Sequence, residues 1–289
     1  MGTVPGSNRP RMPRLRLAYN TNGLAHHRLD DAIDLVADLG YDGLALTPDV
    51  QHLDPFHASP GDVALVARHL RRRGLDVCIQ TGARFVLDPR RKHQPTLLDP
   101  DPSARARRLG MLTRCMDVGR DLGATVVAFW SGVAPAGVAR DEVDRRLADG
   151  CLAVADEAAK RGLVAAFEPE PGMHVATMAG WTALRDRVHH PSLRLALDVG
   201  HVHCNREGDP AAAVRTHAAD LADVQIEDMR EGEHLHLAFG EGTLDVASVV
   251  AALRETAYSG LVGVELSRDS HRGPDVARAA IELLRRLDP

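Results

Sequence analysis

From residue 15 onward, short apolar runs alternate with amphipathic stretches, and the alternation occurs eight times. The runs are "LRLAY" (15 to 19), "GLALT" (43 to 47), "LDVCIQ" (75 to 80), "TVVAFW" (125 to 130), "LVAAFE" (163 to 168), "LRLALD" (193 to 198), "ADVQIE" (222 to 227) and "LVGVEL" (261 to 266). Their length and their wealth of branched apolar side chains predict strands. The intervening stretches have helical spacing. In "LDDAIDLVADLG" (29 to 40), Ile33, Leu35, Val36 and Leu39 line one face and Gly40 supplies the stop. Strands separated by helices pair in parallel through right-handed crossovers. Eight such units without a break in composition predict an α/β chain folded as a single (β/α)8 barrel over residues 14–289. No strand is followed by a glycine-rich phosphate loop, which argues against an open nucleotide-binding sheet.

Composition narrows the class. The 289 residues are 44% apolar and 26% charged, enough to bury a sizeable core. The net charge of −5 and the lack of a long basic block leave no footprint for nucleic acid; "RHLRRRG" (68 to 74) reads as the solvated end of a helix. Cys78, Cys115, Cys151 and Cys204 lie far apart, so neither a disulfide framework nor a thiolate zinc site is expected, and a reducing cytoplasm suits them. Residues 1–13, rich in Pro, Gly and Arg, read as a disordered leader. No signal peptide or membrane span is expected, and a homo-oligomer is left open.

Candidate chemistry comes from the strand ends. Side chains alternate along a strand, so one set faces the barrel axis and the other packs under the helices. That alternation predicts Val164, Ala166 and Glu168 inward on the fifth strand and Arg194, Ala196 and Asp198 inward on the sixth. On the seventh, Ala222, Val224 and Ile226 face out while Asp223, Gln225 and Glu227 face in. The eighth turns Leu261, Gly263 and Glu265 inward. Four successive strands thus place an oxygen-bearing side chain near the C-terminal mouth, where barrel enzymes keep their active sites. Three converging carboxylates repel one another and resist burial unless a positive charge sits among them, and a divalent cation meets that need.

At these residues the chain resembles the xylose isomerase-like barrel superfamily of sugar isomerases and epimerases, inosose dehydratases and, more distantly, endonuclease IV. The resemblance spans roughly residues 15 to 285 and rests on "FEPEPG", "LDVGH", "VQIEDM", "HLHLAFGEGTLD" and "GVELS". It implies one divalent ion held by Glu168, Asp198, Gln225 and Glu265, with Glu168 and Glu265 also the catalytic proton-transfer pair. Gln225 departs from the family pattern, which has a metal-binding histidine there. An oxygen-rich shell favours Mn²⁺ or Mg²⁺, with Co²⁺ and Zn²⁺ as alternatives. His201 is the substitute ligand should Gln225 not bind, and otherwise a substrate contact. His234 and His236, two apart in an extended loop, share one face and are expected to meet a substrate oxygen, an anionic group or a second metal.

Specificity is expected from residues 81–101 and 47–55, where Arg84, Arg90, Arg91, Lys92 and His93 are placed to meet a carboxylate or phosphate. His52, His203 and Arg268 complete the candidate substrate contacts; His174 is as readily structural. The resemblance implies carbohydrate metabolism: an isomerase or epimerase without organic cofactor, acting on a sugar, keto-polyol or cyclitol-like molecule through an enediolate. A dehydratase of an inosose-type substrate is the alternative. An endonuclease IV-like phosphodiesterase is disfavoured, because the third strand ends at Gln80 and the fourth at Trp130 and Ser131, where further metal-binding histidines are expected.

Overall fold

The computed structural model describes residues 14–289 except Ala83. The leader expected over residues 1–13 lies outside the described residues. The chain runs β1 (Arg16–Asn20), α1 (Leu29–Asp38), β2 (Gly43–Leu46), α2 (Pro60–Arg73), β3 (Asp76–Gln80), α3 (Pro102–Leu122), β4 (Val126–Phe129) and α4 (Arg140–Ala159). It continues through β5 (Val164–Phe167), α5 (Met178–Val188), β6 (Leu193–Asp198), α6 (Val199–Cys204), α7 (Pro210–Thr216) and β7 (Leu221–Ile226). A hairpin of β8 (Asp228–Arg230) and β9 (Glu233–Leu237) follows, then α8 (Val246–Glu255), β10 (Leu261–Val264) and α9 (Gly273–Leu287).

Eight of these strands form a closed barrel in the order β1, β2, β3, β4, β5, β6, β7, β10, with β10 pairing parallel to β1. All eight apolar runs became barrel strands; the hairpin is the addition that the pattern did not reveal. Its strands are short and partly exposed, so they lack the apolar weight that marks a barrel strand.

The alternation rule holds for the most part. Leu163, Ala165 and Phe167 join the large core between sheet and helices, as do Leu193, Leu195 and Leu197. Inside the barrel, Ala18, Ala45, Cys78 and Leu261 form one small cluster, and Ala128, Ala166 and Ala196 another. Apart from Leu261 these side chains are small, and they make a low floor beneath the cavity.

Two expectations are corrected. Ala222 packs against the inner cluster rather than outward. The cause is a register shift: Leu195 pairs with Leu221, but Ala196 pairs with Asp223, so Ala222 is passed over. Arg194 does not reach up the axis. It stays at the lower end of β6, where its Nε donates to the Asp220 carbonyl at 3.2 Å.

Among the described residues the four cysteines are free and buried, and no helix is long and apolar enough to cross a membrane.

The floor yields a stability prediction. Ala166→Leu adds volume to a site with 0% exposure directly under Glu168, so it should cost about 1–3 kcal/mol, measured by urea unfolding. A variant as stable as the parent would show that the floor has slack.

Candidate active site

The C-terminal mouth opens into a cavity of about 610 Å³, a size typical of small-molecule sites. Glu168, Gln225, Glu265, His234, His236 and Glu170 line one part of its wall. Arg84, Lys92, His93, Trp130 and Arg268 line another. The cavity is therefore acidic at depth and basic along part of its rim.

Asp198 does two things at once. As the N-cap of α6, its Oδ1 accepts from the His201 backbone N–H at 3.1 Å. Its Oδ2, buried and without a hydrogen-bond partner among the described residues, is left over for a ligand. The D-x-x-H spacing of "DVGH" follows from the cap, which folds His201 back over the carboxylate so that Nε2 lies 3.4 Å from Oδ2. His201 Nδ1 is 3.1 Å from the Pro169 carbonyl and 3.6 Å from Glu168 Oε1.

The hairpin delivers the other imidazoles. Asp228, 3% exposed, anchors it through three backbone N–H donors: Met229 at 2.9 Å and Leu244 at 3.0 Å to Oδ1, and Gly240 at 2.8 Å to Oδ2. Gly242 must be glycine for this wrap, since a Cβ there would meet Asp228 Oδ1 at 2.3 Å. The two-residue turn Glu231–Gly232, with Gly232 at φ +77, then folds β9 back across the mouth. His234 Nε2 reaches His201 Nε2 at 3.1 Å, and His236 Nδ1 lies 3.9 Å from Glu227 Oε2.

Three overlapping groups have ligand atoms within 4.8 Å of one another: Glu168, Asp198 and His201; Asp198, His236 and Glu265; and His201, His234 and His236. Both Glu227 oxygens and His236 Nδ1 are also buried without hydrogen-bond partners among the described residues. A knot of carboxylates and imidazoles with unmet donors and acceptors fits a divalent cation.

The electrostatics agree. Burial, reinforced by Glu170, Glu265 and Asp198, holds the Glu168 carboxyl well above the ordinary range. Burial and Glu265 push Glu170 up to about 8, and burial with Asp198 raises Glu227. Burial by itself would lower the His236 imidazole, but Glu265, Glu227 and Asp198 outweigh it and hold it up to about 10. Burial likewise opposes ionisation of Asp198, yet His201 and His236 keep it below its usual value. Each acid raised in this way is a group that added positive charge would stabilise in its ionised form.

Gln225 lines the cavity beside Glu168: its Oε1 accepts from Asn20 at 3.3 Å and its Nε2 donates to Glu168 Oε1 at 3.3 Å. Several other expected site residues lie elsewhere. His201 is 3% exposed and does not line the cavity; it supports His234 from behind. His203 turns away to Thr243 at 2.8 Å. His52, 3% or less exposed like His201, faces the His27 carbonyl at 3.0 Å and belongs to a neighbouring side cavity. Arg91 pairs with Asp88, and His174 with Asp144. Arg84, Lys92, His93 and Arg268 do line the main cavity.

Other residues of the site escaped the sequence reading. Glu170 follows Glu168 by two in the extended "FEPEPG", a spacing that puts both on one side; its carboxylate lies 3.7 Å from His234 Nε2. Asn22, from the turn after β1, donates to Glu265 Oε1 at 2.7 Å. Nothing in its local sequence marks it. Glu227 has a pattern-predicted inward direction, but its role depends on α6 and β9.

The family model described as xylose isomerase-like TIM barrel matches residues 33–287. The chain belongs to this family. Among curated relatives, a 3-dehydroshikimate dehydratase of Pseudomonas aeruginosa is 26% identical over 270 residues, which is 90% of this chain and 39% of the relative. The chain thus spans well under half the length of the dehydratases it matches. An L-ribulose-5-phosphate 3-epimerase of Escherichia coli is 21% identical, with 74% of this chain and 76% of the relative covered. A D-allulose 3-epimerase from Methylomonas sp., solved with D-allulose, superposes with a TM-score of 0.75 at 22% identity over 95% of this chain and 98% of that one. This xylose isomerase-like barrel thus shares its architecture with sugar epimerases.

The packing of α6 on the site makes a testable demand. A Cβ on Gly200 would lie 2.0 Å from Glu227 Oε1 and 2.8 Å from Met229 Cε. Gly200→Ala should therefore displace Glu227 and destabilise the fold by about 1–3 kcal/mol, read from the thermal midpoint. An unchanged midpoint would mean that Glu227 has room to move.

Proposed function

We propose that this barrel is a divalent-metal-dependent isomerase or epimerase of a keto-polyol or sugar-like substrate. The observation that supports it most is the pairing of Glu168 with Glu265: two carboxylates on the cavity wall, each directly after the end of its strand, β5 and β10, with β6 and β7 between those strands and Asp198 and His236 beside the carboxylates. The ion would be held by Glu168, Asp198, His236 and Glu265, with His236 supplying the imidazole that Gln225 does not. A mixed nitrogen and oxygen shell suits Mn²⁺, Co²⁺ or Zn²⁺ better than Mg²⁺. When bound, such an ion stabilises negative charge on adjacent carbonyl and hydroxyl oxygens of a substrate.

The residues of the chain supply the rest. Glu168 and Glu265 approach from different sides of the barrel axis, so one removes the proton next to the carbonyl and the other returns it. Asn22 holds the Glu265 carboxylate by donating to Oε1, which orients it toward the cavity. Gln225 does the same for Glu168. Arg84, Lys92 and Arg268 sit where an anionic substituent of the substrate would be read. A dehydratase is the second reading, favoured by the relative matched over 90% of this chain; the first proton removal is common to both, and expulsion of a β-hydroxyl replaces reprotonation.

The test is metal-dependent deuterium uptake from D₂O across a panel of ketoses, inososes and their phosphorylated or carboxylated forms. Uptake that stops on chelation and returns with Mn²⁺ is expected. A protein free of bound metal, with activity indifferent to chelator, would sink the metal reading. Glu168→Gln and Glu265→Gln should each lower turnover by about 10² to 10⁴ fold, and wild-type rates in both would reduce these residues to ligands. Arg84→Ala should raise KM for an anionic substrate about tenfold or more with little change in kcat; an equal loss for neutral substrates would remove its role in anion recognition.

A further inference from the structure

Behind the cavity wall lies a charge that the proposed chemistry does not use. Arg108, on α3, is 1% exposed, and its Nη1 and Nη2 atoms have no hydrogen-bond partner among the described residues. Burying a guanidinium without an anion is unfavourable, and folds seldom retain one without a reason. It meets an aromatic face: the guanidinium carbon lies 4.4 Å from the centroid of the Trp130 ring. Trp130 follows β4 and lines the cavity. The His93 ring, also on the cavity wall, meets the same indole edge-on, with centroids 5.1 Å apart and planes at 83°. Arg108 and His93 thus both contact the Trp130 indole, and Trp130 and His93 line the cavity.

We infer that Arg108 is a positioning residue, a buried cation kept at a cost to stability because it clamps the Trp130 indole, and with it His93, into a fixed wall of the substrate cavity. A desolvated cation binds an indole face more strongly than an exposed one does, and the planar guanidinium matches the ring where an ammonium does not. Burial lowers Arg108 only to about 10, so it keeps its charge at neutral pH. Burial, then Lys92 and to a smaller extent the Arg108 charge hold the His93 imidazole down at about 4, so the wall presents it as a neutral ring. A flat indole backed by a locked cation is a suitable surface for the C–H face of a polyhydroxy carbon skeleton. The inference concerns the wall itself and stands whichever substrate proves correct.

The test compares Arg108→Met and Arg108→Lys without needing the substrate. The chain has two tryptophans; Trp181 is 0% exposed and Trp130 is 7% exposed, so acrylamide quenching reports on Trp130, and Trp130→Phe should abolish it. Arg108→Met should fold with a thermal midpoint equal to or above that of the parent, because an uncompensated charge has been replaced by an apolar side chain of similar length. Its quenching constant should rise about twofold or more as the indole loosens. Arg108→Lys, which keeps charge without planarity, should show the same loosening and a lower midpoint. Unchanged quenching in Arg108→Met would overturn the inference. So would a large fall in its midpoint, or failure to fold, since either would make Arg108 a structural charge. None of these results depends on activity, so failure here is distinct from failure of the proposed reaction.

Discussion

Carboxylates packed into a space that excludes most water repel one another, and the mouth of this barrel holds Glu168, Glu170, Asp198, Glu227 and Glu265 within the reach of three imidazoles. The rest of the site is arranged around that repulsion. His236 offsets part of it, and its imidazole is held up to about 10 as the consequence. The remainder leaves buried oxygens on Asp198 and Glu227 without partners, the condition under which a bound cation gains most. Small residues on the floor, Ala166 and Ala196 among them, let the acids descend below the rim without meeting bulk from beneath.

The hairpin shows how a loop brings side chains into a site built on strands. Gln225, next to the last residue of β7, is an uncharged amide. Beyond it the chain doubles back through β8 and β9, anchored on Asp228, and places His236 beside Asp198 and Glu265. A side chain on a loop is ordinarily less well fixed than one on a strand. Here three backbone donors converge on one buried carboxylate and tie both ends of the loop to Asp228.

Close packing and buried charge mark two places near the site. Gly200 and Glu227 are fitted so closely that one methyl group is excluded, and Arg108 lies against Trp130 with neither Nη atom hydrogen-bonded among the described residues. A chain selected for stability alone would keep the first and neutralise the second. The second bears on the cavity wall through Trp130.

The sequence by itself determined the architecture. Eight apolar runs with helices between them leave few other solutions, because a parallel strand needs a crossover and eight crossovers close a barrel. It also determined that Glu168, Asp198 and Glu265 face inward, since alternation along a strand is a local rule. Tertiary structure decided what local rules cannot reach. The passed-over Ala222 depends on how β6 and β7 register. The outward turn of His203, the retreat of His201 behind His234 and the arrival of His236 at the acids depend on where α6 and the hairpin pack. Asn22 meets Glu265 across 243 positions of sequence, and Arg108 meets Trp130 from a different element. Periodicity fixes the direction of a side chain relative to its own strand or helix, whereas its partner is fixed only when elements distant in sequence come together.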